Sequence, residues 1–218
     1  AIACFNGKQV VVIAPTTILS LQHYNTFCER FANFPVKIAL LNSFTKKSEK
    51  EKIKSSLESG QIDILIATHS VYFADINFKD LSLAIIDEEQ HFGVKIKEYF
   101  KQKYEHIDML YLSATPIPRT LNMAINSIMS ISVIKTAPLA RKHIQTYVLK
   151  QTDKVIKEAV ERELFRGGSV FFVHNRIETI YKVKEDLDKL LPDCQKRIIH
   201  SQLPKSEIKK IITDFANG

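Results

Sequence analysis

Four mainly apolar runs divide the first part of the chain, and each one stops at polar residues. The runs cover residues 10–14, 62–67, 83–86 and 109–112. Runs of this length predict strands buried on both faces, as in a parallel sheet covered by helices. The segments between and after them have helical spacing at residues 19–31, 47–59, 95–103 and 119–128. This alternation predicts an α/β fold with right-handed crossovers.

The polar residues that follow two of these runs predict a nucleotide site. The third run stops at Asp87-Glu88-Glu89-Gln90, and the fourth stops at Ser113-Ala114-Thr115-Pro116. Ligands of parallel sheets bind outside the carboxyl ends of the strands, so both turns are expected at one edge. There the first carboxylate could hold Mg²⁺ and the second could activate an attacking water. Taken alone, the acidic pair also fits a solvated turn with a helix cap, because short motifs often match by chance.

The other two runs end in turns that are rich in hydroxyl groups. Pro15-Thr16-Thr17 follows the first run, and Thr68-His69-Ser70 follows the second. Hydroxyl and backbone N–H groups at helix starts are natural phosphate ligands. One edge of the sheet is therefore expected to carry nucleotide chemistry, and the turns beside it to carry a nucleic-acid backbone.

A second domain is predicted after a basic segment at residues 135–142, which contains Pro138 and breaks both periods. We place the boundary near His143, giving domains at residues 1–142 and 143–218. Strands are predicted at 144–149, 169–173 and 197–199, alternating with helices at 153–165, 177–191 and 206–215. The strand at 169–173 ends in a polar turn, His174-Asn175-Arg176.

Composition adds little to this picture. The net charge of +7 fits a polyanionic partner, but the lysines also alternate with glutamates as on solvated helix faces. The three cysteines lack the paired spacing of a disulfide framework or a zinc site. No apolar stretch is long enough to span a bilayer.

In this order, the four polar turns resemble motifs Ia, Ib, II and III of superfamily 2 helicases and translocases, with an acidic motif of the DEAD/DEAH-box type. Residues 30–36 and 114–124 resemble more narrowly the bacterial transcription-repair coupling factors (Mfd). Junction helicases of the RecG kind share the stretch at 114–121, but they usually read Asp-Glu-Gln-His in motif II and lack Arg-Phe-Ala-Asn. Most relatives also carry Arg where this chain has His91.

The resemblance implies two RecA-like domains with parallel sheets flanked by helices, the second domain being truncated. It also implies an ATP-dependent translocase on double-stranded DNA that works with ATP and Mg²⁺ in the bacterial cytoplasm. Such motors displace stalled RNA polymerase in DNA repair. Their contacts with RNA polymerase and excision-repair proteins are made through other domains.

The resemblance also assigns roles to individual residues. Asp87 is expected to hold Mg²⁺ through water, Glu88 to deprotonate the attacking water, and Glu89 and Gln90 to couple the site to the opposite domain. Coupling of hydrolysis to movement is expected from Ser113, Ala114 and Thr115, whereas Arg119 is either a cleft cation or part of an ion pair. The residues expected to track DNA are Pro15, Thr16, Thr17, Thr68 and His69. For Asn175 and Arg176, DNA contact and a plain helix cap with a surface charge both remain open.

Two parts of such a motor have no match in this sequence. The family carries a phosphate loop with Gly-Lys-Thr before the first strand, and an arginine finger beyond the last helix; neither occurs among these 218 residues. The chain is therefore expected to be a motor fragment that does not hydrolyse ATP alone. Its incomplete second domain would expose an apolar edge, which self-association could cover.

Two other functions remain open. A RecG-like helicase acting on branched DNA shares most of the motifs, and residues 30–36 speak against it. A nucleic-acid-binding module without catalysis is the second alternative, and the intact acidic motif speaks against that.

Overall fold

The computed structural model describes residues 1–69, 71, 76–104, 106–114, 130–136 and 144–217. The chain divides into two compact units, Ala1–Val133 and Ile134–Gly218. The boundary predicted near His143 falls outside the described residues and stays a prediction.

The first unit contains a five-stranded, entirely parallel sheet. Its strands are β1 Gln9–Ile13, β2 Ile38–Leu41, β3 Ile64–Ala67, β4 Leu81–Asp87 and β5 Asp108–Leu112, in the spatial order β2-β3-β1-β4-β5. The predicted α/β fold is thus confirmed for this unit. The sequence analysis missed β2, which lies at an edge and has only Leu41 fully buried.

Helices cover both faces of this sheet, which explains why its strands are apolar on both sides. They are α1 Ile2–Phe5, α2 Thr17–Arg30, α3 Lys47–Glu58 and α4 Val94–Lys103, and a 3₁₀ turn spans Glu89–His91. The first two predicted helices are confirmed within two residues at each end. The helix predicted at 119–128 lies outside the described residues.

Alternate residues of the strands feed two apolar clusters. Val11, Leu65 and Ile86 belong to the cluster that also contains Phe100 of α4. Val10, Val12 and Ile66 belong to the cluster on the opposite face, which includes Cys4 of α1. Burial of such side chains from water is the main stabilising contribution to the unit.

One buried polar side chain joins three segments at the amino-terminal end of the sheet. Gln9 is 3% exposed. Its Nε2 donates to the carbonyls of Leu57 and Ile62 over 3.0 and 2.8 Å, and its Oε1 accepts the N–H of Asp80 over 2.9 Å. All the polar atoms of this amide are therefore satisfied, as a buried position requires.

Residues 30–36 form a turn held by aromatic packing. The Phe31 ring lies 6.1 Å from each of Phe27 and Phe34, and the Phe34 ring lies 5.5 Å from Phe5 of α1, centroid to centroid. Aromatic pairs at these distances attract one another beyond simple area burial. The stretch that distinguishes this sequence from RecG thus has a structural role, joining α1 to the end of α2.

The second unit has three described helices, α5 Asp153–Phe165, α6 Ile177–Leu190 and α7 Lys205–Asn217. All three were predicted, and α5 has the predicted bounds. The strands predicted at 144–149, 169–173 and 197–199 do not form: residues 144–217 contain no strand.

Most apolar residues of these predicted strands are exposed to solvent. Val148, Phe171 and Val173 are 95%, 79% and 83% exposed. A strand is stable only where neighbouring strands satisfy its backbone and another layer covers its apolar face, and neither occurs within residues 144–217.

Candidate functional site

The carboxyl ends of the five strands lie at one edge of the first unit. The strand order places β1 between β3 and β4, so that the chain runs to one side for β2 and β3 and to the other for β4 and β5. Such a reversal opens a crevice in which α/β proteins bind ligands. Asp87, the last residue of β4, pairs in register with Leu112 of β5, so Asp87 and Ser113 are brought together there.

Both carboxylate oxygens of Asp87 have protein partners. Oδ2 lies 2.7 Å from Nε2 of His23 on α2, and Oδ1 accepts the backbone N–H of Glu88 over 3.0 Å. The Asp87 side chain is 19% exposed. A partly exposed carboxylate held from two directions has a fixed orientation while remaining accessible from the edge.

Glu88 follows with a left-handed backbone, φ 50° and ψ 53°. It is the one non-glycine residue with positive φ in the part of the chain that the structure describes. This conformation costs an ordinary residue about 1–2 kcal/mol. Such strain persists where the surrounding structure imposes it, and it is common at functional sites.

A chain of hydrogen bonds runs from Ser113 to Glu88. The Ser113 hydroxyl donates to Oε1 of Gln90 over 2.8 Å, and Nε2 of Gln90 donates to Oε2 of Glu88. The turns after β4 and β5 are therefore linked through side chains, and the Glu88 carboxylate is held by one of them.

Glu89 belongs to the same turn as Glu88 but is buried. It is 1% exposed, within the 3₁₀ turn. Burial raises the pKa of the Tyr111 hydroxyl, and the negative charge of Glu89 raises it further. The Glu89 side chain is therefore shielded from solvent and close enough to Tyr111 of β5 for its charge to act there.

The turns after β1 and β2 are joined to each other. Thr16 caps α2 by accepting the N–H of Leu19 over 3.2 Å, and the Thr17 hydroxyl lies 2.9 Å from the Ser43 hydroxyl. Asn42, which is buried, donates to the Ser20 hydroxyl over 3.0 Å. The sequence analysis did not single out Asn42 and Ser43, because it had not recognised the strand that precedes them.

The remaining predicted residues differ in how accessible they are. Thr68 is only 4% exposed, whereas His69 beside it is exposed. In the second unit Asn175 and Arg176 are exposed, and Arg176 is the N-cap residue of α6 without a side-chain capping bond. Pro15 is half-buried and Ala114 is exposed. Thr115 and Arg119 lie outside the described residues.

Sequence reasoning also missed His23. It lies seven residues after Thr16, roughly two helical turns along α2, and only the tertiary structure brings it to Asp87. A histidine in the helix that follows β1 was the one sign in the sequence that this position could belong to the site. The spacing of residues did not indicate that its partner is Asp87.

The residues at this edge fit a hydrated magnesium ion. A carboxylate offers about four lone-pair positions, and the two contacts of Asp87 leave others for water. Mg²⁺ usually keeps several waters and binds through one or two carboxylates together with substrate phosphates. A cage of three or more His, Cys, Asp or Glu side chains is absent from the described residues, so a direct all-protein site is not formed there.

Among the described residues, no helix is both long enough and apolar enough to cross a bilayer. The three helices of the second unit, for instance, each carry several charged side chains.

Comparison with known proteins gives consistent results. The model of the DEAD/DEAH box helicase family matches residues 1–124. A transcription-repair-coupling factor of Staphylococcus haemolyticus is 45% identical over 99% of this chain, and one of Haemophilus influenzae is 45% identical over 98%. The chain covers 18% and 19% of those two proteins, so it spans about a fifth of their length.

Solved structures resemble the chain as well. RecG bound to a three-way DNA junction matches with a TM-score of 0.70 and 37% identity, over 97% of this chain and 28% of that one. The helicase MrfA matches with a TM-score of 0.52 and 14% identity, over 95% of this chain and 35% of that one, and shows likeness of fold alone.

Proposed function

The chain belongs to the DEAD/DEAH box helicases, and on that basis we propose that it is part of an ATP-driven motor that moves along double-stranded DNA and displaces stalled RNA polymerase during repair. The polar edge of the sheet carries this proposal, because it holds two adjacent carboxylates in fixed positions at a strand-order reversal. The 45% identity to transcription-repair-coupling factors supports the choice of that motor class.

At this edge each residue would act on ATP or on the water that attacks it. Asp87 would accept hydrogen bonds from waters of a Mg²⁺ ion, which would neutralise charge on the phosphates when bound. Glu88 would take a proton from the attacking water. Gln90 holds the Glu88 carboxylate and is itself held by Ser113, so movement of the β5 turn would change the position of the base.

DNA would be held by the neighbouring turns. Thr16 and Thr17 begin α2, and the positive end of a helix dipole favours a phosphate. His69 is exposed beside the buried Thr68, so the imidazole and the backbone of this turn are the groups that DNA could reach. We also propose backbone contacts for Pro15, and for Asn175 and Arg176 in the second unit. Contacts of this kind ignore base sequence and weaken with salt.

ATP hydrolysis by the full-length protein tests the proposal. Linear duplex DNA should stimulate ATPase activity strongly, and Glu88→Gln should remove the stimulated activity while leaving DNA binding. Exchange of the exposed His106, which precedes β5 at the opposite edge of the sheet, to Ala provides a matched control. An enzyme that is equally active with Glu88→Gln would refute the assignment of the base.

A junction helicase is the second candidate, favoured by the similarity to RecG bound to a three-way junction. The same assay separates the two functions. Stimulation by plain linear duplex supports a translocase of the coupling-factor kind, whereas stimulation confined to branched DNA supports the junction helicase. Absence of ATPase activity on either DNA would instead favour a binding module without catalysis.

Three further proposals concern the chain itself. These 218 residues contain no Gly-Lys-Thr or Gly-Lys-Ser sequence, and we expect no ATP hydrolysis from them alone. The exposed apolar residues of the second unit, such as Phe171 and Val173, would allow self-association, which a monomeric sedimentation coefficient would contradict. A motor that acts on DNA and RNA polymerase would work in the bacterial cytoplasm, with excision-repair proteins as later partners.

A further inference from the structure

One contact that holds the candidate site comes from a helix outside the acidic turn, and His23 was given no role of its own above. His23 lies in α2 and Asp87 at the end of β4, 64 residues apart in sequence, yet Nε2 of His23 is 2.7 Å from Oδ2 of Asp87. The side chains are 29% and 19% exposed, so the contact is largely shielded from solvent. A hydrogen bond that ends on a charged carboxylate is shorter and stronger than one between neutral groups.

The contact controls one half of the Asp87 carboxylate. The other oxygen accepts the N–H of Glu88, which belongs to the same turn and moves with it. His23 is therefore the partner that ties the carboxylate to a different element. Without His23, the Asp87 carboxylate could rotate about its χ2 bond, because this torsion has only a broad preference for particular angles.

The helix that carries His23 begins at the proposed DNA turn. Thr16 caps α2 from within, and Thr17 contacts Ser43 after β2, so the first turn of the helix is capped and also tied to the β2 turn. The helix then continues without a break from Thr17 to Arg30. One continuous helix therefore connects the Thr16–Thr17 turn to His23, and one hydrogen bond connects His23 to Asp87.

We propose that His23 is a positioning residue, which orients the Asp87 carboxylate toward a hydrated metal ion and links the metal site to the α2 turn that meets nucleic acid. This inference rests on the proposed function for the identity of the metal-binding carboxylate. Outer partners of this kind commonly change metal affinity or activity 10–100-fold when they are removed.

Metal affinity of the full-length protein tests the inference without relying on turnover. Binding of Mn²⁺ in the presence of ADP is measured by electron paramagnetic resonance for the wild type, His23→Ala, His23→Gln and His106→Ala. We expect about a 10-fold weaker Mn²⁺ Kd for His23→Ala, recovery to within about 3-fold for His23→Gln, which keeps a donor, and no change for His106→Ala. A wild-type Kd for His23→Ala would overturn the inference.

The link to DNA has a separate readout. In the same variants, the Mg²⁺ concentration for half-maximal ATPase activity is measured with and without linear duplex. For the wild-type protein, DNA should lower that Mg²⁺ concentration. The His23→Ala change should abolish this effect of DNA, whereas the His106→Ala change should retain it. If His23→Ala responds to DNA as the wild type does, α2 does not transmit the signal through this bond and that part of the inference fails.

Asp87→Asn separates failure of this inference from failure of the proposed function. If Asp87→Asn weakens Mn²⁺ binding and His23→Ala does not, only the role of His23 is wrong. If neither change has an effect, Asp87 is not the metal-binding carboxylate and both assignments fall. Circular dichroism checks folding; where His23→Ala disturbs it, His23→Met keeps the side-chain volume without the donor and is compared with His23→Gln in its place.

Discussion

The two units contain similar apolar runs, but these runs are mainly buried in the first unit and mainly exposed in the second. In the first unit, residues 64–67 of β3 are all buried beneath helices and between neighbouring strands. In the second unit, the run at 169–173 is largely exposed, and α5 and α6 contain no fully buried residue. The same local pattern thus produces a core strand only where strands exist on either side. An apolar run encodes a preference for burial, and the rest of the sheet decides whether that preference is met.

The largest effect is expected from truncating a side chain in the core, because, among the described residues, only the first unit has a buried strand where this can be done. Leu65→Ala removes a side chain that is 0% exposed at the centre of β3 and should lower the free energy of unfolding of the first unit by about 3 kcal/mol. Val173→Ala, at an 83% exposed position, should change it by less than about 0.5 kcal/mol. Hydrogen exchange of peptides from each unit measures the two effects separately. Equal losses would mean that residues 169–173 are packed in solution.

A smaller effect is expected where a polar group supports the core. Gln9→Leu adds apolar surface but removes the partner of the Ile62 carbonyl and of the Asp80 N–H, so we expect a loss of about 2 kcal/mol in the first unit. Gln151→Leu, at an exposed position of the second unit, is the matched control. Urea unfolding monitored by circular dichroism compares them. A stabilised Gln9→Leu protein would show that apolar burial outweighs the lost hydrogen bonds.

Helix capping should act alike in both units. Thr16 accepts the N–H of Leu19 over 3.2 Å, and Thr152 accepts that of Val155 over 3.3 Å. Each Thr→Ala change should cost about 1 kcal/mol, because a cap satisfies local backbone groups whatever lies beneath the helix. Hydrogen exchange in the first turns of α2 and α5 gives the values. A large loss at Thr16 alone would show that its turn supports the sheet as well as the helix.

The smallest effect is expected at a surface ion pair in the second unit. Hydrogen bonds from Lys184 and then Lys196 lower the pKa of the exposed Asp188 carboxyl. A folded-state pKa below the unfolded value stabilises the fold above the unfolded pKa, and this contribution disappears as the pH falls through the folded pKa. Acid should therefore weaken α6 slightly below about pH 4. In an acid titration followed by hydrogen exchange of α6, Asp188→Asn should remove this dependence, and an unchanged profile would contradict it.

Much of the first unit could be predicted because its strands are buried on both faces. A continuous apolar run identifies such a strand, and parallel pairing then brings Asp87 and Ser113 to one edge. The edge strand β2 was not predicted, because its apolar run is short and only half-buried. The sheet expected in the second unit failed for a related reason: a strand depends on partners that a local pattern does not contain.

In the candidate site, too, local features could be predicted from the sequence and contacts between distant segments could not. The residues that follow the strands were found from sequence, because chain direction alone determines which edge they occupy. His23 and Ser43 were not found, since each reaches the site through packing between distant segments. The left-handed backbone of Glu88 was equally invisible, because glutamate gives no sign of a positive φ.

The central position of β1 has a consequence for how the protein folds during synthesis. Val10 pairs with Ile64 on one side and with Leu83 on the other, so β1 gains its second strand partner only after β4 has been made. Contacts so distant in sequence close slowly. As the chain emerges from the ribosome, Val10–Ile13 would lack its second strand partner until β4 arrives, and during that interval the nascent chain is a natural client for a chaperone.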